Sequence, residues 1–179
     1  MQTIFKIVFL IGLIGGSIQP VVALELFGVD LNSANSAELR IAVKTAGARL
    51  IREGGEDNWF DVYDSSKALA GSTRLYLGFA KQDQRFAFAE YEFASLNPTQ
   101  ILSKLTTKYG AAETLDGRFL SDRKYRWQRD GIEIELSSDW QHHITRLSYI
   151  NPVNMSALLA ERASYKSQLA TEAESFSIY

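Results

Sequence analysis

The order of apolar and polar positions predicts a helix over residues 36–46. Its apolar positions recur every three to four residues, which is the spacing of one helix face: Leu39, Ala42, Val43 and Ala46. Asn35 is placed to cap the first turn, and Glu38 three residues later completes a capping box. Gly47 ends the helix, because glycine enters the left-handed conformation without a steric penalty.

Three strands are predicted after this helix, because the apolar pattern changes from a helical period to alternation. Residues 59–63 are rich in aromatic and β-branched side chains. Within residues 73–79 and 85–93, odd-numbered and even-numbered positions carry different sets of side chains, as on the two faces of a strand. Such alternation is typical of half-buried antiparallel strands. Residues 54–55 and 82–84 have the composition of turns.

A second helix is predicted to begin at Pro98, where a missing N–H group costs no hydrogen bond, with Asn97 as its cap. Gln100 stands at the capping-box position, and Gly110 ends the helix. Its apolar face consists of Leu102, Leu105 and Tyr109. The helix therefore has the same start and stop signals as the first one.

Three more strands are predicted after the second helix, at residues 124–128, 132–136 and 144–150. Asp130 and Gly131 form a typical hairpin turn between the first two. Each half of the chain thus reads helix, strand, strand, strand, which indicates an internal repeat.

We therefore predict an α+β fold made of two tandem α-β-β-β modules, at residues 31–94 and 95–151. Their strands are expected to form one antiparallel sheet of about six strands with helices on one side. A C-terminal helix is predicted at residues 154–173, and its apolar stripe is thin. Such a stripe is typical of a helix that docks only in part or that meets a partner.

This arrangement resembles two groups of small exported proteins. Residues 31–150 carry the helix and three strands twice, and Lys108, Tyr109 and Gly110 close the second helix. The β-lactamase inhibitor protein is built from tandem modules of this kind, and the small outer-membrane assembly lipoprotein of the barrel-assembly machinery has one related module. The inhibitor modules carry disulfides and the lipoprotein needs an acylated cysteine, whereas this chain has no cysteine. The resemblance implies that the modules act as binding surfaces, and it assigns no functional residue.

The first 23 residues are predicted to be a cleavable signal peptide. Lys6 supplies the positive start, residues 7–14 are apolar, and cleavage is expected after Ala23. The apolar run is shorter than the roughly 20 residues of a membrane-spanning helix, and no later segment is apolar enough to span a membrane. We therefore expect a periplasmic or secreted protein whose residues 24–179 form a single domain.

The charge balance of residues 24–179 narrows the range of partners. This part of the chain carries all 21 acidic residues and 18 of the 19 basic ones, which gives a net charge of −3. A nucleic-acid-binding protein normally has a basic excess, so no nucleic-acid partner is expected. The absence of cysteine excludes disulfides and thiol chemistry.

The sequence contains no recognisable catalytic or metal-binding motif, and we predict no catalytic residue, no metal and no cofactor. His142 and His143 stand near Asp139, but adjacent side chains of a strand point to opposite faces and do not bind one ion easily. A small exported hydrolase or metal-dependent enzyme that uses these histidines remains the alternative. An acidic cluster is interpreted as polar strand and turn residues: Glu56, Asp57, Asp61 and Asp64.

Aromatic residues are frequent on the predicted strands, and some strands place them on both faces. If helices cover one face of the sheet, the aromatic side chains of the other face are available to a partner. The predicted binding surface consists of Trp59, Tyr63, Tyr76, Tyr91, Trp127 and Trp140. The favoured function is a non-enzymatic module that binds a protein partner or another envelope component. A small-ligand carrier is the third hypothesis.

We expect the mature protein to begin at Leu24, because Val21 and Ala23 occupy the two positions that signal peptidase reads. Intact-mass measurement on protein recovered from the periplasm or the medium should give the mass of residues 24–179. A recovered protein that retains residues 1–23 would contradict this assignment.

Overall fold

The computed structural model describes residues 23–55, 58–94, 98–115, 123–139 and 141–176, with side chains described up to residue 168. The predicted signal peptide, the predicted cap Asn97 and Trp140 lie outside these residues. In chain order the elements are β1 (Glu25–Leu26), β2 (Val29–Asp30), α1 (Ser36–Thr45), β3 (Arg49–Arg52), β4 (Phe60–Asp64), β5 (Ser72–Phe79), β6 (Phe86–Ala94), α2 (Pro98–Tyr109), β7 (Glu113–Leu115), β8 (Lys124–Arg129), β9 (Ile132–Asp139), β10 (Ile144–Ile150) and α3 (Pro152–Phe176).

The described strands form a two-stranded sheet, β1 with β2, and one antiparallel sheet of eight strands. The strand order of the large sheet is β3-β4-β5-β6-β10-β9-β8-β7. The last strands of the two modules, β6 and β10, pair at the centre over residues 88–94 and 144–150. From either edge to the centre, the strands therefore follow one another in chain order, from β3 to β6 in the first module and from β7 to β10 in the second. This confirms the α+β fold with two tandem modules and a C-terminal helix.

The large sheet has two strands more than the pattern suggested. The additional strands, β3 and β7, are four and three residues long and form the two edges of the sheet. An edge strand pairs on one side only, and a segment as short as Arg49–Arg52 has too few positions to show a clear alternation. Among the described residues, each module is therefore one helix followed by four strands.

The register of the sheet assembles a continuous apolar inner face. Tyr63 lies opposite Leu75, Leu75 lies opposite Tyr91, and Leu147 lies between Tyr91 and Leu136. All five side chains are buried in one hydrophobic core. The core also contains the apolar face of each of the first two helices: Leu39 and Val43 of α1, and Leu105 and Tyr109 of α2. Both helices thus cover the same side of the sheet, as predicted.

Local signals fix the ends of α1. The backbone N–H of Glu38 donates to Asn35 Oδ1 at 3.1 Å, and the Asn35 N–H donates to Glu38 Oε2 at 3.4 Å. This is the predicted capping box. Gly47 follows the helix with a φ of 100°, which requires a residue without a side chain.

The end of α2 is fastened to β8. The indole Nε1–H of Trp127 donates to the carbonyl of Gly110 at 2.8 Å, and the guanidinium of Arg129 donates to the carbonyl of Tyr109. These two bonds satisfy carbonyl groups that the helix itself leaves without a donor.

The C-terminal helix α3 docks across the turn between β5 and β6 with one narrow stripe of residues. The amide of Asn154 donates to the carbonyl of Phe86 at 2.8 Å, and Leu158 is 3% exposed. Glu161 accepts the backbone N–H groups of Lys81 at 2.8 Å and Gln82 at 3.2 Å. Within the described ranges, no helix combines the length and the apolar character that crossing a membrane would need.

We expect Leu39→Ala to lower the free energy of unfolding by about 2–5 kcal/mol, because Leu39 is fully buried and its truncation leaves a cavity. Ile41→Ala is the matched control on the same helix, since Ile41 is 67% exposed, and its effect should stay within about 0.5 kcal/mol. Chemical denaturation of both variants tests this. Equal losses at the two positions would show that α1 does not pack through Leu39.

Candidate functional site

The outer face of the large sheet is the side turned away from α1 and α2. One row of this face crosses five neighbouring strands, because successive registers place its residues side by side: Tyr76, Glu90, Ser148, Glu135 and Arg126. A neighbouring row contains Glu92 opposite Arg146. The outer face is therefore polar and charged at its centre, where the inner face is apolar.

The charged centre of the outer face contains more carboxylates than cations. Arg126 lies 3.2 Å from Glu133 and 3.1 Å from Glu135. Arg146 contacts Glu92 at 3.4 Å, Glu90 at 3.6 Å and Asp139 at 3.9 Å. We call these five acidic residues the outer-face carboxylate cluster: Glu90, Glu92, Glu133, Glu135 and Asp139.

Arg126 and Arg146 form ion pairs with these five carboxylates, and Arg74 lies opposite Glu92 in the strand register, so five acidic side chains stand beside three basic ones. The members of the cluster are partly exposed, with side-chain accessibilities between 17% for Glu92 and 31% for Glu90. Partial burial reduces the screening of these carboxylate charges by water, so their field is stronger than that of fully solvated carboxylates.

Burial changes the pKa values of two members of the cluster. Burial raises the pKa of Glu90, although the Ser148 hydroxyl donates to Glu90 Oε2 at 3.0 Å and Arg146 stands nearby. Burial also raises the pKa of Glu133, and a hydrogen bond with Glu135 adds to the effect. The ionised forms of these two glutamates are therefore less stable here than in water.

Aromatic side chains lie beside the carboxylate cluster on the outer face. The ring of Phe60 meets the ring of Tyr76 edge-on at 5.6 Å and the ring of Phe88 at 6.2 Å. Phe88 lies directly over Gly78, where any larger residue would collide with the ring. The hydroxyl of Tyr76 donates to Glu92 Oε2 at 3.0 Å, so the aromatic group and the carboxylate cluster are in direct contact.

Three residues of the predicted binding surface belong to the core. Tyr63, Tyr91 and Trp127 are 0%, 2% and 3% exposed, so their assignment to a surface is corrected. Each lies on the inner face, in register with aliphatic residues beneath the helices. Alternation along a strand defines two faces but does not say which one the helices cover.

Two other residues of that prediction, Trp59 and Tyr76, remain partly exposed. Tyr76 lies on the outer face, whereas Trp59 packs edge-on against Tyr165 of α3 at 5.8 Å. The structure thus separates the two side chains instead of bringing them together. The carboxylate cluster was not predicted, although the spacing of Glu90 with Glu92 and of Glu133 with Glu135 could have indicated two acidic pairs on one strand face.

His142 and His143 lie in the turn between β9 and β10. His142 Nδ1 lies 2.8 Å from Asp139 Oδ2 in an exposed turn, and this hydrogen bond lowers the pKa of Asp139. His143 follows in the left-handed conformation, with a φ of 53°. Among the described residues, no group of three or more potential ligands is close enough to hold a metal ion.

No protein-family model matches the sequence, and no curated protein matches it. A solved structure similar to this chain is the crystal structure of a DUF4309 family protein (YjgB) from Bacillus subtilis subsp. subtilis str. 168. It has 17% sequence identity and a TM-score of 0.43, over 68% of this chain and 82% of that chain. The comparisons indicate no enzyme family.

We expect Glu90→Gln to stabilise the protein at neutral pH, because the raised pKa of Glu90 means that the folded state disfavours the ionised carboxylate. The folded protein binds a proton on the Glu90 carboxylate more tightly than the unfolded chain does. The stability cost of ionisation is therefore present above the raised pKa and is lost as the pH falls below the ordinary value of 4.5.

The measurement is the melting temperature of wild type and Glu90→Gln from pH 4 to pH 8. The advantage of the variant should shrink as the pH falls. Glu25→Gln, at an exposed position of β1, is the control and should follow the wild type throughout. A constant difference between Glu90→Gln and wild type at every pH would contradict the assigned burial effect.

Proposed function

We propose that this protein is an exported, non-enzymatic binding module of the cell envelope. Its outer sheet face binds a protein segment rich in arginine and lysine. The observation that carries this proposal is the outer-face carboxylate cluster, in which five carboxylates share two guanidinium groups.

A cationic partner would supply the charges that the cluster lacks. Each incoming arginine or lysine would form charge-assisted hydrogen bonds with carboxylates that are already partly removed from water. It would also remove part of the cost that raises the pKa of Glu90 and Glu133. Complementary charge of this kind favours rapid association and selects against acidic partners.

The size and composition of the outer face favour a protein over a small cation. Eight strands spaced about 4.8 Å apart span roughly 34 Å, which is wide enough for an interface of ordinary size. Phe60, Tyr76 and Phe88 provide an aromatic anchor next to the charged centre. Binding energy at protein interfaces is often concentrated in such aromatic groups, with polar contacts around them.

Export is supported by the sequence pattern and by the position of the expected cleavage site. Ala23 is exposed, whereas Leu24 is 4% exposed and its carbonyl accepts the N–H of Leu31 at 3.0 Å. Cleavage between them would therefore leave Leu24 and the β1–β2 hairpin in place. The tandem-module arrangement, which resembles the β-lactamase inhibitor protein type, also favours a binding role.

The test is an NMR titration of the protein with a synthetic peptide that alternates arginine with aromatic residues. A peptide with glutamate in place of arginine serves as the matched probe. We expect shifts in backbone signals of β6, β9 and β10 with the cationic peptide only. The affinity should weaken as salt is added, because salt screens the charges.

The double variant Glu92→Gln with Glu135→Gln should weaken binding of the cationic peptide about tenfold, since two lost charge pairs at about 0.7 kcal/mol each give about 1.4 kcal/mol. Glu25→Gln with Asp83→Asn removes the same number of charges outside the outer face and should bind like wild type. Equal weakening by the two double variants would show that only the net charge of the protein matters. It would reject the outer face as the binding site of the peptide.

A further inference from the structure

One position of the outer face brings an aromatic ring and a carboxylate side by side. Phe88 and Glu90 are two residues apart on β6, so both side chains point to the outer face. The register places Tyr76 of β5 on one side of Glu90 and Ser148 of β10 on the other. All four residues lie within described strands. We call Phe88 and Glu90 the ring–carboxylate junction.

Gly78 fixes how the ring of this junction lies. A Cβ added at Gly78 would stand 2.1 Å from the Phe88 ring, so the ring occupies the space that a side chain of β5 would fill. Phe88 is nevertheless only half-buried. Since one side of the ring rests on the backbone of β5, the exposed part faces outward from the sheet. A flat group of a partner can stack on it.

The carboxylate of the junction has room for a further donor. The Ser148 hydroxyl donates to Glu90 Oε2 at 3.0 Å. Glu90 Oε1 lies 3.6 Å from Arg146 Nε, beyond the roughly 3.2 Å of an ordinary N–H···O hydrogen bond. Arg146 stands closer to Glu92, at 3.4 Å. An ionised carboxylate can accept several hydrogen bonds, so Glu90 can still accept from a partner.

Guanidinium groups of this chain already make both kinds of contact on the outer face. The guanidinium of Arg52 lies 5.4 Å from the ring centre of Phe60, another member of the aromatic group. Arg126 bridges two carboxylates, at 3.2 Å from Glu133 and 3.1 Å from Glu135. The outer face thus accepts a planar cation against a ring and between carboxylates, in two separate places.

Charge alone does not distinguish arginine from lysine at the junction. The charged groups that act on Glu90 are Arg146, Glu92 and Glu135, and Arg74 lies opposite Glu92 in the register. These groups act equally on the two kinds of cation, because both carry a single positive charge. Only the guanidinium is planar, stacks on a ring and donates two parallel hydrogen bonds to one carboxylate.

We propose that the ring–carboxylate junction binds one arginine side chain of the partner and selects it over lysine. The guanidinium stacks on the ring of Phe88 and donates to the carboxylate of Glu90. An ammonium group in the same place pairs with Glu90 as a point charge and gains less from the ring. This inference rests on the proposed function, because it specifies which residue the cationic segment must present.

The test compares the arginine peptide of the outer-face titration with the same peptide in which lysine replaces every arginine. We expect the arginine peptide to bind about tenfold more tightly, because it alone gains the stacking and the second hydrogen bond. Calorimetry gives both Kd values, and shifts in the Phe88 ring signals locate the contact. Equal affinities would overturn the inference and leave the proposed function standing, whereas no binding of either peptide would overturn both.

Glu90→Gln and Phe88→Leu should each reduce the preference for arginine to about threefold or less, since each removes one of the two contacts specific to arginine. Thermal unfolding checks that both variants are folded. Glu133→Gln is the matched control, because it removes a carboxylate of the same cluster on the far side of β10. It should weaken both peptides by the same factor and keep the preference. The junction is rejected if both test variants keep the full preference, or if Glu133→Gln lowers it as much as Glu90→Gln.

Discussion

The pairing of β6 with β10 is the constraint on which the rest of the structure depends. Its register places Tyr91 opposite Leu147 and Glu90 opposite Ser148, so one alternate set of side chains faces the helices and the other faces away. A shift of one residue would exchange the two sets and place glutamates in the core. Since the other strands of each module extend outward from this pair, one register fixes the inner and outer faces of the whole sheet.

The two faces are stabilised by different interactions. The inner face removes aromatic and aliphatic surface from water beneath α1 and α2. The outer face relies on ion pairs in which Arg126 and Arg146 contact several carboxylates, and burial raises the pKa of Glu90 and Glu133 there. Proteins often retain such unfavourable local arrangements at functional sites, where a partner can relieve them. This is why the outer face, with its charge unbalanced, is the stronger candidate for a binding surface.

Asp61 shows how one buried charge can join distant parts of the chain. It lies on an inner strand face, and Arg40 reaches it from α1 while Gly54 reaches it from the loop before β4. The ion pair of Arg40 and Asp61 lines a pocket, and Leu158 of α3 lines the same pocket. The pocket exists because these elements converge there, although they are far apart in sequence.

The sequence by itself determined the type and order of the longer elements, because hydrophobic period, capping residues and turn residues act locally. It did not reveal β3 and β7, which are too short to show a period and are held only by a neighbouring strand. It also could not say that Tyr63, Tyr91 and Trp127 face the helices, since alternation defines two faces without identifying the covered one. The two-residue spacing of Glu90 with Glu92 and of Glu133 with Glu135 is visible in the sequence. Only the tertiary structure showed that β10 lies between their two strands. Long-range strand pairing therefore decided which residues form the site.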